Sequence, residues 1–170
     1  MPPLFLFLSR ISSQARQPQT KEQLTEWIQE HNDCGWRAIK KHGEPNTWDV
    51  TLVTSMSQLF FQMKNFNAPI DQWNTSEVTD MSNMFFQASS FNQPIKMDTS
   101  KVTDMSNMFY DAKSFNQPIT MDTSKVYNMR YMFYGASSFN QPITMDTSKV
   151  TTMVAMFKGA TSMTHPKPSM

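Results

Sequence analysis

Val78-Thr79-Asp80-Met81-Ser82-Asn83-Met84-Phe85-Phe86-Gln87-Ala88-Ser89-Ser90-Phe91-Asn92-Gln93-Pro94-Ile95 decides the reading of this chain, because it recurs. Phe-Asn-Gln-Pro-Ile returns at Phe115 to Ile119 and Phe139 to Ile143, each 24 residues on. A variant, Phe66-Asn67-Ala68-Pro69-Ile70, stands 25 residues upstream, with the extra residue between Ile70 and Trp73. Other columns keep the same step. Val53, Val78, Val102, Val126 and Val150 form one, and Met56, Met81, Met105, Met129 and Met153 the next. Leu59 leads a Met column, Phe60 a Phe column and Ala88 an Ala column. Trp48 and Trp73 open the first two copies, and Met97, Met121 and Met145 take that place later. Five coils run from Trp48 onward, the fifth lacking the Phe-Asn-Gln-Pro-Ile element. Fixed periods of this length mark repeat architectures in which one copy cannot bury its own apolar face.

Within a coil, Met81, Met84, Phe85 and Ala88 fall at i, i+3, i+4 and i+7, which predicts a two-turn helix with Asp80 or Ser82 as its cap. Phe91, Ile95 and Met97 share one parity, which predicts a short extended segment. Asp98-Thr99-Ser100 predicts a turn, the Asp side chain bonding the backbone two residues on. The expected fold class is therefore α/β, a leucine-rich-repeat-like solenoid of about five 24-residue coils with an N-terminal helical cap. Pro69, Pro94, Pro118 and Pro142 have no N–H for a ladder. The adjacent Asn67, Asn92, Asn116 and Asn140 predict a compensating asparagine stack with side-chain donors.

Residues before Trp48 do not repeat. Thr20 followed by Gln23 makes a capping box, and Leu24, Trp27 and Ile28 follow at helical spacing. The expected organisation is a flexible arm or degenerate signal at 1–19, a helical cap at 20–47, the repeats at 48–163 and a tail at 164–170. Leu4 to Leu8 is too short an apolar run to span a bilayer, and the first cation, Arg10, follows it.

The pattern of Trp73-Asn74-Thr75-Ser76-Glu77-Val78-Thr79-Asp80-Met81-Ser82-Asn83-Met84-Phe85, with His42-Gly43 and then Trp48-Asp49-Val50 at the entry, resembles the BspA-like leucine-rich-repeat surface proteins. The resemblance covers roughly residues 20–163. It implies a surface adhesion or interaction protein, extracellular or at a cell surface. Met replaces Trp in the last three coils, and no lipoprotein-type cysteine follows a signal.

Chemistry is scarce. Charge nearly balances, with 15 Lys+Arg against 14 Asp+Glu, so no field steers nucleic acid toward the chain. Cys34 is the only cysteine and excludes an intramolecular disulfide. His31 and Cys34, three apart, begin a metal site or lie on a half-exposed helix face. Asp98, Asp122 and Asp146 form a column of turn caps or a calcium row, each with Lys three residues on. The Thr columns suit turns better than a flat ice-binding array, because Tyr127 interrupts one of them. No catalytic constellation, cofactor or metal is expected, since repetition yields like residues used many times rather than unlike residues used once.

Two features suit binding. Phe61, Phe86, Tyr110 and Tyr134 form an aromatic column, read either as an exposed surface or as packing between coils. The fourth coil departs from its neighbours at Tyr127, Asn128, Arg130 and Tyr131, read either as binding anchors or as surface drift. Phe86, Tyr110, Tyr127, Arg130, Tyr131 and Tyr134 are the expected interaction surface for a protein or glycan ligand. The alternative is end-to-end self-association through the terminal coil. Asn74-Thr75-Ser76 is a single glycosylation sequon.

Overall fold

A computed structural model describes residues 16–168. The expected 1–15 portion of the arm, and with it the apolar run at Leu4 to Leu8, lies outside the described residues. The α/β leucine-rich-repeat-like solenoid predicted from the sequence is not what the chain builds. Among the described residues there is one α-helix, α1 (Lys21–His42), one 3-10 turn, Pro45–Thr47, and no strand. The repeats are made of turns. They touch through single parallel bridges, Ser55 to Asp80, Asp80 to Asp104, Asp104 to Asn128 and Asn128 to Thr152.

Backbone dihedrals give the reason. Asn83 and Gln87 have φ of 56° and 55°, which no right-handed helix accepts. The same two places in the other coils are Gln58 and Gln62, Asn107 and Asp111, Tyr131 and Gly135, and Ala155 and Gly159, all at positive φ. Each is the third residue of a four-residue turn, where a type II turn requires positive φ. The turns close from Met84 N–H to the Met81 carbonyl and from Ala88 N–H to the Phe85 carbonyl. Two such turns in succession point residues 1, 4, 5 and 8 inward, the same pattern that an amphipathic helix makes. Asp80 caps this run, accepting from the Ser82 N–H at 2.8 Å.

Between turns the chain donates to the next coil. Met81, Asn83, Phe85 and Gln87 give their N–H groups to the carbonyls of Asp104, Ser106, Met108 and Tyr110. The same four positions repeat this in coils one, three and four, with N···O distances of 2.7–3.1 Å. The predicted extended segment makes no strand, because Pro94 and its equivalents break any ladder there. The asparagines hold that side instead, and they accept rather than donate. The Asn92 N–H bonds Asn67 Oδ1, that of Asn116 bonds Asn92 Oδ1, and that of Asn140 bonds Asn116 Oδ1, each at 2.9 Å. Gln117 and Gln141 Nε2 add bonds to Asn92 and Asn116.

The core is two phenylalanine stacks. Phe60, Phe85, Phe109, Phe133 and Phe157 lie 4.9–5.4 Å apart and within 9° of parallel. Phe66, Phe91, Phe115 and Phe139 stack beside them at 5.9–6.2 Å. Met56, Met81, Met105 and Met129 fill the remaining space, fully buried. Leu24, Trp27 and Ile28 of α1 close this core over the first coil. Thr20 caps α1, accepting from the Gln23 N–H at 3.2 Å, while Gln23 Oε1 returns a bond to the Gln19 N–H. The helix is kinked at Cys34, whose φ and ψ are −152° and 65°. Glu30 fastens the two halves, accepting from Lys41 at 2.7 Å and pairing with His42 at 3.0 Å. Residues 16 and 17 are tied to the first coil, Arg16 by its carbonyl to the Asp49 N–H and Gln17 by its side chain to Asp49.

Candidate interaction surface

The turn run fixes which side chains face outward. Phe61, Phe86, Tyr110 and Tyr134 each follow an inward Phe, so they stand in register on the outside of the stack. Their rings lie 4.7–4.8 Å apart and within 17° of parallel. Both faces of Phe86 and of Tyr110 are therefore covered by neighbouring rings, and the column presents edges and the two phenol hydroxyls. Phe61 is 38% exposed, and the other three are half-buried. Desolvation holds the Tyr110 phenol above its ordinary value, and the Asp111 carboxylate adds to this.

The fourth coil crowns the column. Tyr131 stands at a left-handed position, φ 56°. Its ring meets Tyr110 and Tyr134 edge-on at 6.5 and 5.8 Å. The Arg130 guanidinium lies 4.9 Å from the Tyr131 ring centre. So Phe86, Tyr110, Arg130, Tyr131 and Tyr134 form one patch. Tyr127 does not join it. It is 48% exposed, shares no ring contact among the described residues, and its carbonyl accepts from Thr151. An open polar hollow of about 330 Å³, lined by Lys64, Gln87, Ser89, Asp111 and Lys113, adjoins the column through Gln87 and Asp111.

The remaining polar columns are occupied in structure. Asp98, Asp122 and Asp146 accept from the N–H groups of Ser100, Ser124 and Ser148 at 2.9–3.0 Å. Hydrogen bonds from the side chains of these serines, and next those from their N–H groups, hold all three carboxyls below the usual range, with the following lysines adding to the effect. Thr75, Thr99 and Thr123 are buried and donate to the carbonyls of Asp98, Asp122 and Asp146. Thr79, Thr103 and Thr151 donate to carbonyls of the preceding coil. Among the described residues, no group of three or more His, Cys, Asp or Glu is placed to hold a metal ion.

One surface escaped the sequence reading. Trp48 and Trp73 are anchored by indole N–H bonds, to the His42 and Pro45 carbonyls at 3.0 and 2.8 Å. Met97 and Met121, which stand in the same column, are only half-buried. Beside Met97, Pro94, Ile95, Gln117 and Pro118 line an open groove of about 700 Å³. The Trp-to-Met change in the repeat pattern was the signal for it.

A family model described as "Mycoplasma protein of unknown function, DUF285" matches residues 33–121 and again 96–169. The chain belongs to this family. The two matches overlap over residues 96–121, as tandem copies in one register allow. The first begins beside the Cys34 kink, so the DUF285 pattern takes in the second half of α1 with the coils. No curated protein and no solved structure matches the chain. Among the described residues, no helix is long and apolar enough to cross a membrane.

Proposed function

We propose that the chain is a non-catalytic repeat module that binds a partner through the aromatic column and its Arg130–Tyr131 crown, at a cell surface or outside the cell. One observation carries the reading: five residues from three successive coils meet in a single patch, although none of them is needed inside the core. Tyr and Arg anchor interfaces well because they bring area and directed hydrogen bonds at little conformational cost. The stacking favours a protein over a glycan. Sugars dock on ring faces, and the faces of Phe86 and Tyr110 are taken. Exposed edges, hydroxyls and a guanidinium suit a polypeptide. The resemblance to BspA-like surface proteins points the same way.

The test is a displayed peptide library and an immobilised glycan panel, each probed with the full chain and with Arg130→Ala and Tyr134→Ala. Peptides enriched on the parent and lost on both variants are the expected result. Binding restricted to glycans would overturn the choice of partner, and equal enrichment on all three proteins would overturn the site.

A further inference from the structure

The fifth coil repeats the donor row of the other four, and among the described residues no further coil receives it. By position, the N–H groups of Met153, Ala155, Phe157 and Gly159 correspond to those that bond the next coil elsewhere. Among the described residues these four have no acceptor. The first three edge an open groove of about 540 Å³ lined by residues 151–158 with Lys167 and Pro168, and Gly159 follows at its end in sequence. Its walls are apolar, with Met156 and Phe157 as a floor and Val154 58% exposed at the rim. The rim is also cationic. Lys158 and Lys167 are exposed, and Lys167 Nζ lies 5.9 Å from the Phe157 ring centre. From residue 147 to residue 170 the chain carries Lys149, Lys158 and Lys167 and no Asp or Glu.

A second copy of this chain does not match the edge. Two such ends brought together set four donors against four donors, with only the flanking Thr151 and Thr161 carbonyls to offer. The matching carbonyls in the first coil, those of Ser55, Ser57, Leu59 and Phe61, belong to the end where α1 is seated on the core. Head-to-tail contact would have to lift Leu24 and Ile28, both fully buried.

We infer that the open edge of the fifth coil is a second binding surface, taking an acidic peptide segment of a partner protein. The segment's main-chain carbonyls accept from Met153, Ala155, Phe157 and Gly159, its apolar side chains rest on Met156 and Phe157, and its carboxylates pair with Lys158 and Lys167. This is main-chain pairing at an unfilled edge, with charge setting the choice of partner. It adjoins the aromatic column, because Lys158 takes the place after Tyr134 in that register, but its amides belong to the fifth coil alone.

The probe is an end-blocked decapeptide of alternating Glu and Leu, with alternating Lys and Leu as its control, titrated into the ¹⁵N-labelled full chain. The Glu–Leu peptide is expected to move the amide signals of Met153, Ala155, Phe157 and Gly159, and the Lys–Leu peptide to leave them in place. Lys158→Glu with Lys167→Glu, both at exposed positions, is expected to weaken binding by roughly tenfold or more. Three results would overturn the inference: shifts confined to Tyr110 and Tyr134, an affinity unchanged in the double variant, or protection of the four amides by a concentration-dependent dimer without peptide. The first would leave the aromatic column standing as the site, so the two readings fail separately.

Discussion

The two ends of the stack differ in what meets them. Over the first coil, α1 lays Leu24, Trp27 and Ile28 on the core, Trp27 stacks on His42 at 4.2 Å, and Lys21 reaches Ser57 at 2.8 Å. Over the fifth, Lys167 and Pro168 lie beside a groove edged by the Met153, Ala155 and Phe157 amides, which have no acceptor among the described residues. Burial follows the same gradient. Phe60, Phe85, Phe109 and Phe133 are fully buried, and Phe157 is 9% exposed. The Val, Met and Phe columns run through all five coils, so most of the contrast comes from the neighbours, with Met163 in place of the second-stack Phe as the fifth coil's own share. A repeat's stability is mostly lent by the copies on either side.

The largest test of this contrast trims an apolar side chain at each end, an enclosed one at the first coil and a rim one at the fifth. Leu24→Ala is expected to cost about 3 kcal/mol in urea unfolding, because the fully enclosed site cannot collapse around the lost atoms. Val154→Ala, at the open end, is expected to cost less than about 0.5 kcal/mol. Equal losses would mean that the fifth coil is as well covered as the first.

The left-handed positions sharpen the comparison from inside. A Cβ at Gly135 would overlap the Asp111 carboxylate of the preceding coil, and φ there is 66°. Gly135→Ala is expected to lower stability by about 2 kcal/mol. Ala155 holds φ of 51° with a Cβ in place, on a coil that has no further coil stacked on it among the described residues. Ala155→Gly is expected to raise the unfolding free energy, by about 1 kcal/mol at most. A loss at Ala155→Gly would show that the turn is held by something other than backbone preference.

The smallest effect concerns pH. Hydrogen bonds from Lys41 and His42 hold the Glu30 carboxyl below its usual range. A depressed folded value means that the unfolded chain binds the proton more readily. The contribution is therefore present above the unfolded value, about 4.3, and is lost as pH falls through the lower folded one. Asp98, Asp122 and Asp146, held by their serines, behave alike below about 3.9. Glu30→Gln is expected to flatten the acid limb of a stability-against-pH curve at its upper end, leaving the aspartate portion. An unchanged limb would show that the bond across the Cys34 kink is dispensable.

The columns of Val, Met, Phe and Ala were legible because inward positions admit only apolar residues of one size. Their order in space was not. Residues 1, 4, 5 and 8 face inward in two turns of helix and in two consecutive tight turns alike, and Gln, Asp, Tyr and Ala at six of the left-handed places gave no warning, although Asn83, Asn107, Gly135 and Gly159 stand at the other four. The asparagine stack was visible, but its polarity was reversed, since the side-chain oxygens accept from the next coil's main chain. The aromatic column could be assembled by register, whereas Tyr127 has no ring contact with it. The terminal coil was visible in the missing Phe-Asn-Gln-Pro-Ile element, but its donor row was not, being made of amide groups that every residue carries.

The direction of the main-chain bonds has a further consequence. Every internal junction gives the same four amides and receives the same four carbonyls, so a duplicated stretch of 24 residues enters between two coils without creating a mismatched surface. Lengthening by whole units is thereby made easy for such a gene. A slip of one residue is tolerated only off the ladder, where the first coil carries Asp71-Gln72 between Ile70 and Trp73 and Asn46 bonds both Asp71 and the Gln72 N–H. Inside the turn run, the same slip would turn every buried phenylalanine out of its stack.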